Sequence, residues 1–329
     1  MKKVIRFLRN WTLPVAMLMG VIIYFLIASL PITEESETLI YVVISHYIHP
    51  VLLFSMLFLA FAKVNPHDML PHRWQLGVLL SQSSIFVIIS ILAAHADNYN
   101  TKIILEGAML CLICPTATAA AVVTGKLGGN VSGVTTYLLL CNIMVSTLAP
   151  MLLPMVEPKS GLDFLTSFFM IMGKVFPLLI MPLVVAWLVR FLMPKFHEWL
   201  KNVSGLSFYL WGVSLALAIT VSVRSIAHSS VNVSVLLALA LVSLAACILQ
   251  FGIGKFIGTY YDKKHDTFPV YRITAGQSLG QKNTVFIIWL GFVFLDPVTS
   301  VVGGFYSIWH NTINSYQLYK ARKRQALQT

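Results

Sequence analysis

The sequence predicts an all-α integral membrane protein with ten transmembrane helices in two inverted five-helix repeats, with discontinuous helices 4 and 9. Three observations lead to this prediction: the composition, the number of apolar stretches, and two polar interruptions at equivalent places. Of the 329 residues, 57% are hydrophobic and only 11% are charged, whereas a soluble globular chain carries about 25% charged residues. This composition excludes a soluble enzyme, a nucleic-acid-binding module and a disordered protein.

Ten apolar stretches of membrane-spanning length follow one another along the chain. A hydrocarbon core about 30 Å thick requires about 20 residues of apolar helix. Short loops join the stretches and no linker marks a second domain, so we expect one transmembrane domain over residues 1–329, with repeat halves of approximately 1–160 and 161–329. The candidate spans are Thr12–Leu30, Leu39–Phe61, Gln75–Ala94, Ile103–Thr124, Val131–Leu153, Phe164–Leu192, Leu206–Ile226, Val231–Ile257, Val270–Phe294 and Val298–Leu318.

Basic residues are unevenly distributed between the two sets of loops. With both termini in the cytoplasm, 18 of the 23 Lys and Arg residues lie on the cytoplasmic side, 3 lie outside, and Lys174 and Lys282 fall within spans. Cytoplasmic loops of membrane proteins carry such an excess. We therefore expect a multi-pass protein of the inner or plasma membrane with both termini cytoplasmic. The net charge of +11 follows from this topology and does not indicate a nucleic-acid partner.

Two of the spans are interrupted by residues that weaken a membrane helix. In the fourth span, Pro115 is followed by small or hydroxylated residues that include Thr116 and Thr118. In the ninth span, eight of the nine residues in Gly276–Thr284 are polar or glycine, and we expect Gly276 and Gly280 to break the helix together with Pro115. Irregular backbone at membrane depth is tolerated only when it is buried in protein or lines a cavity.

The two interruptions occupy equivalent positions in the two halves. Pro115 and Gly280 are 165 positions apart, and each lies in the fourth span of a five-span half. Because five is an odd number, the second half enters the membrane from the opposite side. Paired discontinuous helices in inverted repeats place the binding site of a transporter at the midplane, with half-helix N-termini that suit an anionic group.

On these residues the chain resembles the bile acid:sodium symporter family, as a divergent member of bacterial type. The resemblance covers nearly the whole chain and implies interleaved panel and core helices. It also implies two broken helices that cross in the core, two sodium sites behind the crossing, and a path for an organic anion. The residues that carry it are the break Cys114-Pro115, the break Gly280-Gln281-Lys282-Asn283, and the run Ser307-Ile308-Trp309-His310-Asn311.

The sequence departs from the family at positions where the family has sodium ligands. Ala120 and Ala121 stand where the family has Ser and Asn, and Ser278 and Lys282 stand where it has Glu and Gln. A hard cation binds several oxygen ligands, preferably with a carboxylate. The resemblance therefore implies no required cofactor here, and sodium remains only as an alternative.

Lys282 is the main candidate for a functional residue within the spans. A charged side chain near the bilayer centre is expensive and marks a functional site by default. We expect its ammonium to occupy a sodium site, held by oxygens of Gln82, Ser278 and Asn142; snorkelling to an interface and a proton-coupled role stay open. The residues expected along the substrate and ion path are Gln82, Thr116, Thr118, Asn142, Ser278, Gln281, Lys282, Asn283, His310 and Asn311.

Other polar residues within the spans have simpler interpretations. Lys174 lies near the outer end of the sixth span and is interpreted as a snorkelling side chain. His46 and His49 have helical metal-ligand spacing, but no third ligand is evident, so polar packing is favoured.

The function predicted from the sequence is a secondary active transporter or facilitator that moves a small organic anion by alternating access, without dependence on sodium. The main alternative is a sodium-coupled organic anion or bile acid symporter of the usual family type. A channel or sensor, and an intramembrane enzyme, are two further alternatives. The enzyme is disfavoured because the spans contain no paired carboxylates, no Ser/His set and no three-ligand metal cluster. The expected partners are the organic anion and the lipid bilayer.

Overall fold

The computed structural model describes residues 12–326, except for residues 66, 68, 159–161, 204, 205 and 268. The basic residues before position 12, on which the topology prediction partly depends, lie outside this range. Every named element of regular structure in the described part of the chain is a helix. The helices are α1 (Thr12–Ala28), α2 (Glu34–Ala62), α3 (Arg73–Ala94), α4 (Tyr99–Ile113), α5 (Ala120–Leu127), α6 (Val131–Val156), α7 (Phe164–Leu192), α8 (Pro194–Asn202), α9 (Leu206–Ala227), α10 (Val233–His265), α11 (Val270–Gly280), α12 (Thr284–Phe294) and α13 (Val301–Ala326).

Six of these helices are long and apolar enough to cross a membrane: α2, α3, α6, α7, most of α9, and α10. Many of their large apolar side chains point outward; Phe191 and Phe256, for example, are each 76% exposed. Lipid accepts such a surface, whereas water would drive it to aggregate. The protein is therefore membrane-embedded, as the composition predicts.

The remaining predicted spans differ from simple spanning helices for identifiable reasons. Helix α1 has 17 residues, and the fourth and ninth predicted spans are each divided into two shorter helices. Helix α13 runs from an apolar start into the polar, basic residues near position 320. Helix α10 has 33 residues and extends past the predicted end at Ile257 by about two turns.

The first break lies where the proline predicts it. Helix α4 ends at Ile113 and α5 begins at Ala120. Cys114 has φ −53° and ψ 134°, which is the extended conformation that a following proline imposes on the preceding residue. The helix cannot continue through Pro115 because the ring removes a backbone donor and collides with the preceding turn.

The second break is displaced from the predicted position, and the prediction that Gly276 breaks the helix is wrong. Gly276 lies inside α11, and Gly280 is its last residue. Both glycines serve packing: a Cβ at Gly276 would lie 2.8 Å from Cγ of Lys255, and one at Gly280 would overlap the Phe251 ring. The non-helical segment is instead residues 281–283, between α11 and α12.

Asn283 begins the helix that follows the second break. Its side-chain oxygen accepts a hydrogen bond of 3.3 Å from the backbone N–H of Phe286. This is the N-cap interaction that satisfies one of the free donors at a helix start. Asn283, which the sequence placed on the substrate path, therefore has a structural role in starting α12.

Helices α10 and α11 form a tightly packed hairpin. A Cβ on Gly254 would overlap the backbone of Ala275, and a Cβ on Gly258 would overlap the backbone of Tyr271. The buried carboxylate of Asp262 caps the start of α11, accepting hydrogen bonds of 2.8 Å from the backbone N–H of Tyr271 and of Arg272. The hairpin holds α11, and with it the second break, at a fixed position.

Adding a methyl group at Gly258 should open this hairpin. We expect Gly258→Ala to lower the melting temperature of the purified protein clearly, because overpacking against backbone costs about 1–3 kcal/mol. The matched control is Gly252→Ala on the same helix, where an added Cβ meets nothing within 4 Å. Since alanine favours helix over glycine, this variant should be unchanged or slightly more stable. Equal melting temperatures for both variants would contradict the close contact.

Candidate functional site

The two breaks lie against each other and exchange backbone hydrogen bonds. The N–H of Ala117 donates to the carbonyl of Gln281 at 3.0 Å, and the N–H of Asn283 donates to the carbonyl of Pro115 at 2.9 Å. Thr116 and Lys282 thereby form an isolated antiparallel bridge. A break in a buried helix leaves backbone N–H and carbonyl groups that need hydrogen-bond partners, because no water is present to supply them. Here the backbone of each break supplies partners for the backbone of the other break.

Two side chains of the first break reinforce this crossing by donating to backbone carbonyls at the second. The hydroxyl of Thr116 donates to the carbonyl of Ser278 at 2.6 Å. The thiol of Cys114 donates to the carbonyl of Asn283 at 3.0 Å. Thr116, Cys114 and Ser278 are all fully buried, so these bonds form without competition from solvent.

Two glutamine side chains satisfy the carbonyls at the end of α4. Nε2 of Gln82 in α3 donates to the carbonyl of Leu112 at 2.8 Å and to that of Cys114 at 3.2 Å. Nε2 of Gln250 in α10 donates to the carbonyl of Cys111 at 3.1 Å. The negative end of the helix dipole is therefore covered by neutral amide donors.

A tyrosine has the corresponding role at the end of α11. The hydroxyl of Tyr306 in α13 donates to the carbonyl of Gly280 at 2.9 Å and accepts from Nε2 of Gln250 at 3.1 Å. Gln250 thus connects the ends of both broken helices. On the other side, Oε1 of Gln82 accepts from the hydroxyl of Tyr137 in α6 at 2.8 Å.

Lys282 lies at the centre of this arrangement and is one of the largest fully buried side chains, at 1% exposure. Its backbone N–H faces Nδ1 of buried His310 at 3.4 Å. Among the described residues, its Nζ has no hydrogen-bond partner. Four buried thiols interact with it electrostatically: Cys111, Cys114, Cys141 and Cys247. An ammonium without a partner in such surroundings is expensive.

The expectation that Gln82, Ser278 and Asn142 hold the ammonium of Lys282 is wrong in this structure. The oxygen of Gln82 accepts from Tyr137 instead. The side-chain amide of Asn142 donates to the carbonyl of Leu179 in α7 at 3.2 Å, and its Oδ1 is unpaired within the described chain, as is Oγ of Ser278. The side-chain amide of Gln82 donates to backbone carbonyls at the end of α4, so Gln82 is already paired without a cation.

The other predicted site residues divide into two groups. Gln281 and His310 lie at the crossing; the side chain of Gln281 donates to the side chain of Gln277. Asn311 donates to the carbonyl of Ser307 in its own helix at 2.7 Å, and Thr118 lies half-buried in the turn before α5. Neither of these last two residues joins the hydrogen-bond network of the crossing. Ala120 is buried at the first turn of α5, and Ala121 follows it half-buried.

A small cavity between α2, α7 and α12 lies apart from the crossing and was not anticipated from the sequence. Its volume is about 160 Å³, and it is lined by His46, Pro50, Lys174, Trp289 and Val293. Trp289 is 2% exposed, and its indole N–H has no acceptor in the described part of the chain. Nζ of Lys174 lies 5.8 Å from the centre of the Phe294 ring.

Local backbone geometry contributes to this cavity. Residues Ile44–Ile48 of α2 form a π-helical turn that contains His46. Such turns widen a helix locally and are frequent at functional sites. The cavity therefore gathers an ammonium, an imidazole and an indole N–H from three helices that are distant in the sequence.

Comparison with known proteins adds no assignment: no family model matches the chain, and no curated protein matches it.

Removing the hydroxyl of Thr116 should weaken the crossing without changing the shape of the side chain. We expect Thr116→Val to lower the melting temperature, because it leaves the buried carbonyl of Ser278 without its donor, at a cost of about 1–3 kcal/mol. The control is Thr312→Val, because the exposed hydroxyl of Thr312 bonds only within its own helix, to Ile308. If both variants melt with the wild-type protein, the hydroxyl does not contribute to the crossing.

Proposed function

We propose that this protein is a secondary carrier that moves a small organic anion across the membrane by alternating access, without dependence on sodium. The observation that carries the proposal is the fully buried Lys282, whose ammonium has no hydrogen-bond partner among the described residues. A buried cation without a partner is suited to an anion that comes and goes.

The helix ends beside Lys282 add to the attraction for an anion. Helix α5 starts at Ala120 and α12 starts at Thr284, each directly after the crossing. Helix N-termini carry partial positive charge and free N–H groups. Two such ends and one ammonium meet where the surroundings are apolar and electrostatic interactions are strong.

The same arrangement disfavours a sodium ion at the crossing. The carbonyls at the ends of α4 and α11 already accept from Gln82, Gln250, Thr116 and Tyr306, so they do not require a cation. An ammonium and a sodium ion about 4 Å apart repel by about 4 kcal/mol at an effective dielectric constant of 20, equivalent to roughly a thousandfold in affinity. The fixed charge of Lys282 would take over the electrostatic role of the cation.

The proposed architecture is that of the bile acid:sodium symporter family, which the sequence resembles. It has ten transmembrane helices in two inverted halves, approximately 1–160 and 161–329, with panel and core helices interleaved and both termini in the cytoplasm. The support is the pairing of the two breaks, each of which divides one predicted span into two helices.

The cavity beside Lys174 is the proposed entrance for the anionic group. It contains a basic side chain and an unpaired indole N–H next to apolar side chains, which suits a carboxylate or sulfonate attached to an apolar body. Its volume of about 160 Å³ accommodates the head of such a molecule and leaves the apolar part among the surrounding helices.

Sodium replacement in proteoliposomes tests the function. A thermal-stability screen of carboxylates, sulfonates and steroid acids selects a compound to be labelled. We expect saturable counterflow of that compound with equal rates in sodium, potassium and choline. Lys282→Gln should abolish counterflow and the stabilisation by the compound while the protein still folds, whereas exposed Lys126→Gln on α5 should resemble the wild type.

Each other outcome of that experiment identifies another function. Loss of counterflow in potassium and choline would establish sodium coupling and remove the proposed role of Lys282. Flux that does not saturate would indicate a channel. Stabilisation by a compound that is neither exchanged nor transported would indicate a sensor.

Removal of the charge at the cavity should weaken substrate binding and leave the maximal rate unchanged. We expect Lys174→Gln to raise the KM for counterflow about tenfold, which corresponds to about 1.4 kcal/mol. Trp289→Phe, which keeps a ring and removes the N–H, should change KM in the same direction. A KM like that of the wild type in both variants would remove the cavity from the substrate path.

A further inference from the structure

A second buried ionisable side chain, Glu106, lies midway along α4, about two turns before the crossing. Glu106 is fully buried, and its Oε2 accepts from the backbone N–H of Asp296 at 3.4 Å. No donor in the described part of the chain reaches its Oε1. The carboxyl group of Glu157, which directly follows α6, lies beside that of Glu106.

Among the described residues, the surrounding groups supply one positive charge for three carboxyl groups. Lys102 forms an ion pair of 2.6 Å with Glu157. Asp296 accepts from the hydroxyl of Tyr99 at 2.8 Å. Glu106 has no cation of its own, because Lys102 lies on Glu157. Two carboxylates that are both ionised repel each other and cannot share a hydrogen bond, so the pair requires a proton.

The other elements packed around α4 do not change this balance of charge. The nearby part of α10, residues 233–254, contains no Asp, Glu, Lys, Arg or His, and neither do residues 284–294 of α12 or residues 297–309. His95 and Asp97, in the loop before α4, are exposed. The charged and titratable groups that face Glu106 are thus Glu157, Asp296, Lys102 and Tyr99.

We propose that Glu106 and Glu157 form a binding site for one exchangeable proton, which joins α4 to the end of α6. With the proton present, Glu106 donates to Glu157 and keeps its bond from the N–H of Asp296, directly after α12. When the proton leaves to water, the two carboxylates repel and the contact between α4 and the end of α6 loosens, whereas the N–H of Asp296 still donates to Glu106.

This fastening makes transport sensitive to pH. The fourth predicted span is then held at two places: by backbone bonds to the second break at the crossing, and by the shared proton to the end of α6. Alternating access requires the broken helices to move relative to the neighbouring helices, so loss of this second contact changes the transport rate. The effect on transport rests on the proposed function, whereas the binding of the proton does not.

Infrared spectroscopy tests the proton directly in the purified protein. We expect a carbonyl stretching band of a buried carboxylic acid that disappears as the pH is raised. Glu106→Gln should abolish this band, and Glu157→Gln should move its disappearance to lower pH, because the repelling carboxylate is removed. Glu198→Gln should behave as the wild type, because Glu198 is an exposed residue of α8 paired with Lys201. A band that persists in Glu106→Gln, an unchanged pH dependence in Glu157→Gln, or the absence of the band from the wild type would overturn the proposal.

Counterflow at different pH values tests the consequence. The wild-type rate should change severalfold across the pH range in which the infrared band disappears, and Glu106→Gln should show a flat profile. Glutamine retains an N–H that can donate to Glu157, so this variant should fold and mimic the protonated form. If no variant transports, the infrared result still decides whether the proton is bound, and only the proposed function fails. A wild-type counterflow rate that does not vary with pH would contradict a role of the Glu106–Glu157 contact in transport.

Discussion

The structure depends on two backbone hydrogen bonds exchanged between Pro115–Ala117 and Gln281–Asn283. A helix that breaks inside a membrane leaves donors and acceptors without partners, and lipid supplies none. One break alone would be costly, but two breaks side by side satisfy each other. The chain can therefore contain helix ends in its interior, and with them the partial charges that a continuous helix never exposes there.

Those interior helix ends determine the chemistry around them. The carbonyl ends of α4 and α11 accept from neutral side chains of Gln82, Gln250, Thr116 and Tyr306. These donors leave little demand for a metal cation, so the charge of Lys282 is in excess. An excess positive charge beside two helix N-termini is the basis of the proposed anion binding, and Ala120 and Ser278 supply no carboxylate that would oppose it.

The sequence predicts those features whose cause is local. Pro115 is followed by small or hydroxylated residues, a combination that favours a break, so the first break could be located, and the composition predicts a membrane protein. The effect of Gly276 depends on the helix packed against it, so its role in contacting Lys255 could not be foreseen. The burial of Lys282 follows from its position inside a predicted span, but the competition for Gln82 does not. His46, Lys174 and Trp289 lie far apart in the chain, and only the packing of three helices brings them together.

The proposed proton site and the proposed anion site would be linked by electrostatics even without a change of conformation. Glu106 and Pro115 are nine residues apart, about 13 Å along a helix at 1.5 Å per residue. One negative charge at that distance opposes an anion at the crossing by about 1 kcal/mol at an effective dielectric constant of 20, or roughly fivefold in affinity. Protonation of the Glu106–Glu157 pair removes this charge, so the proton and the anion strengthen each other's binding, and by linkage the factor is the same for both. A carrier with this linkage binds its anion more tightly from the more acidic side of the membrane.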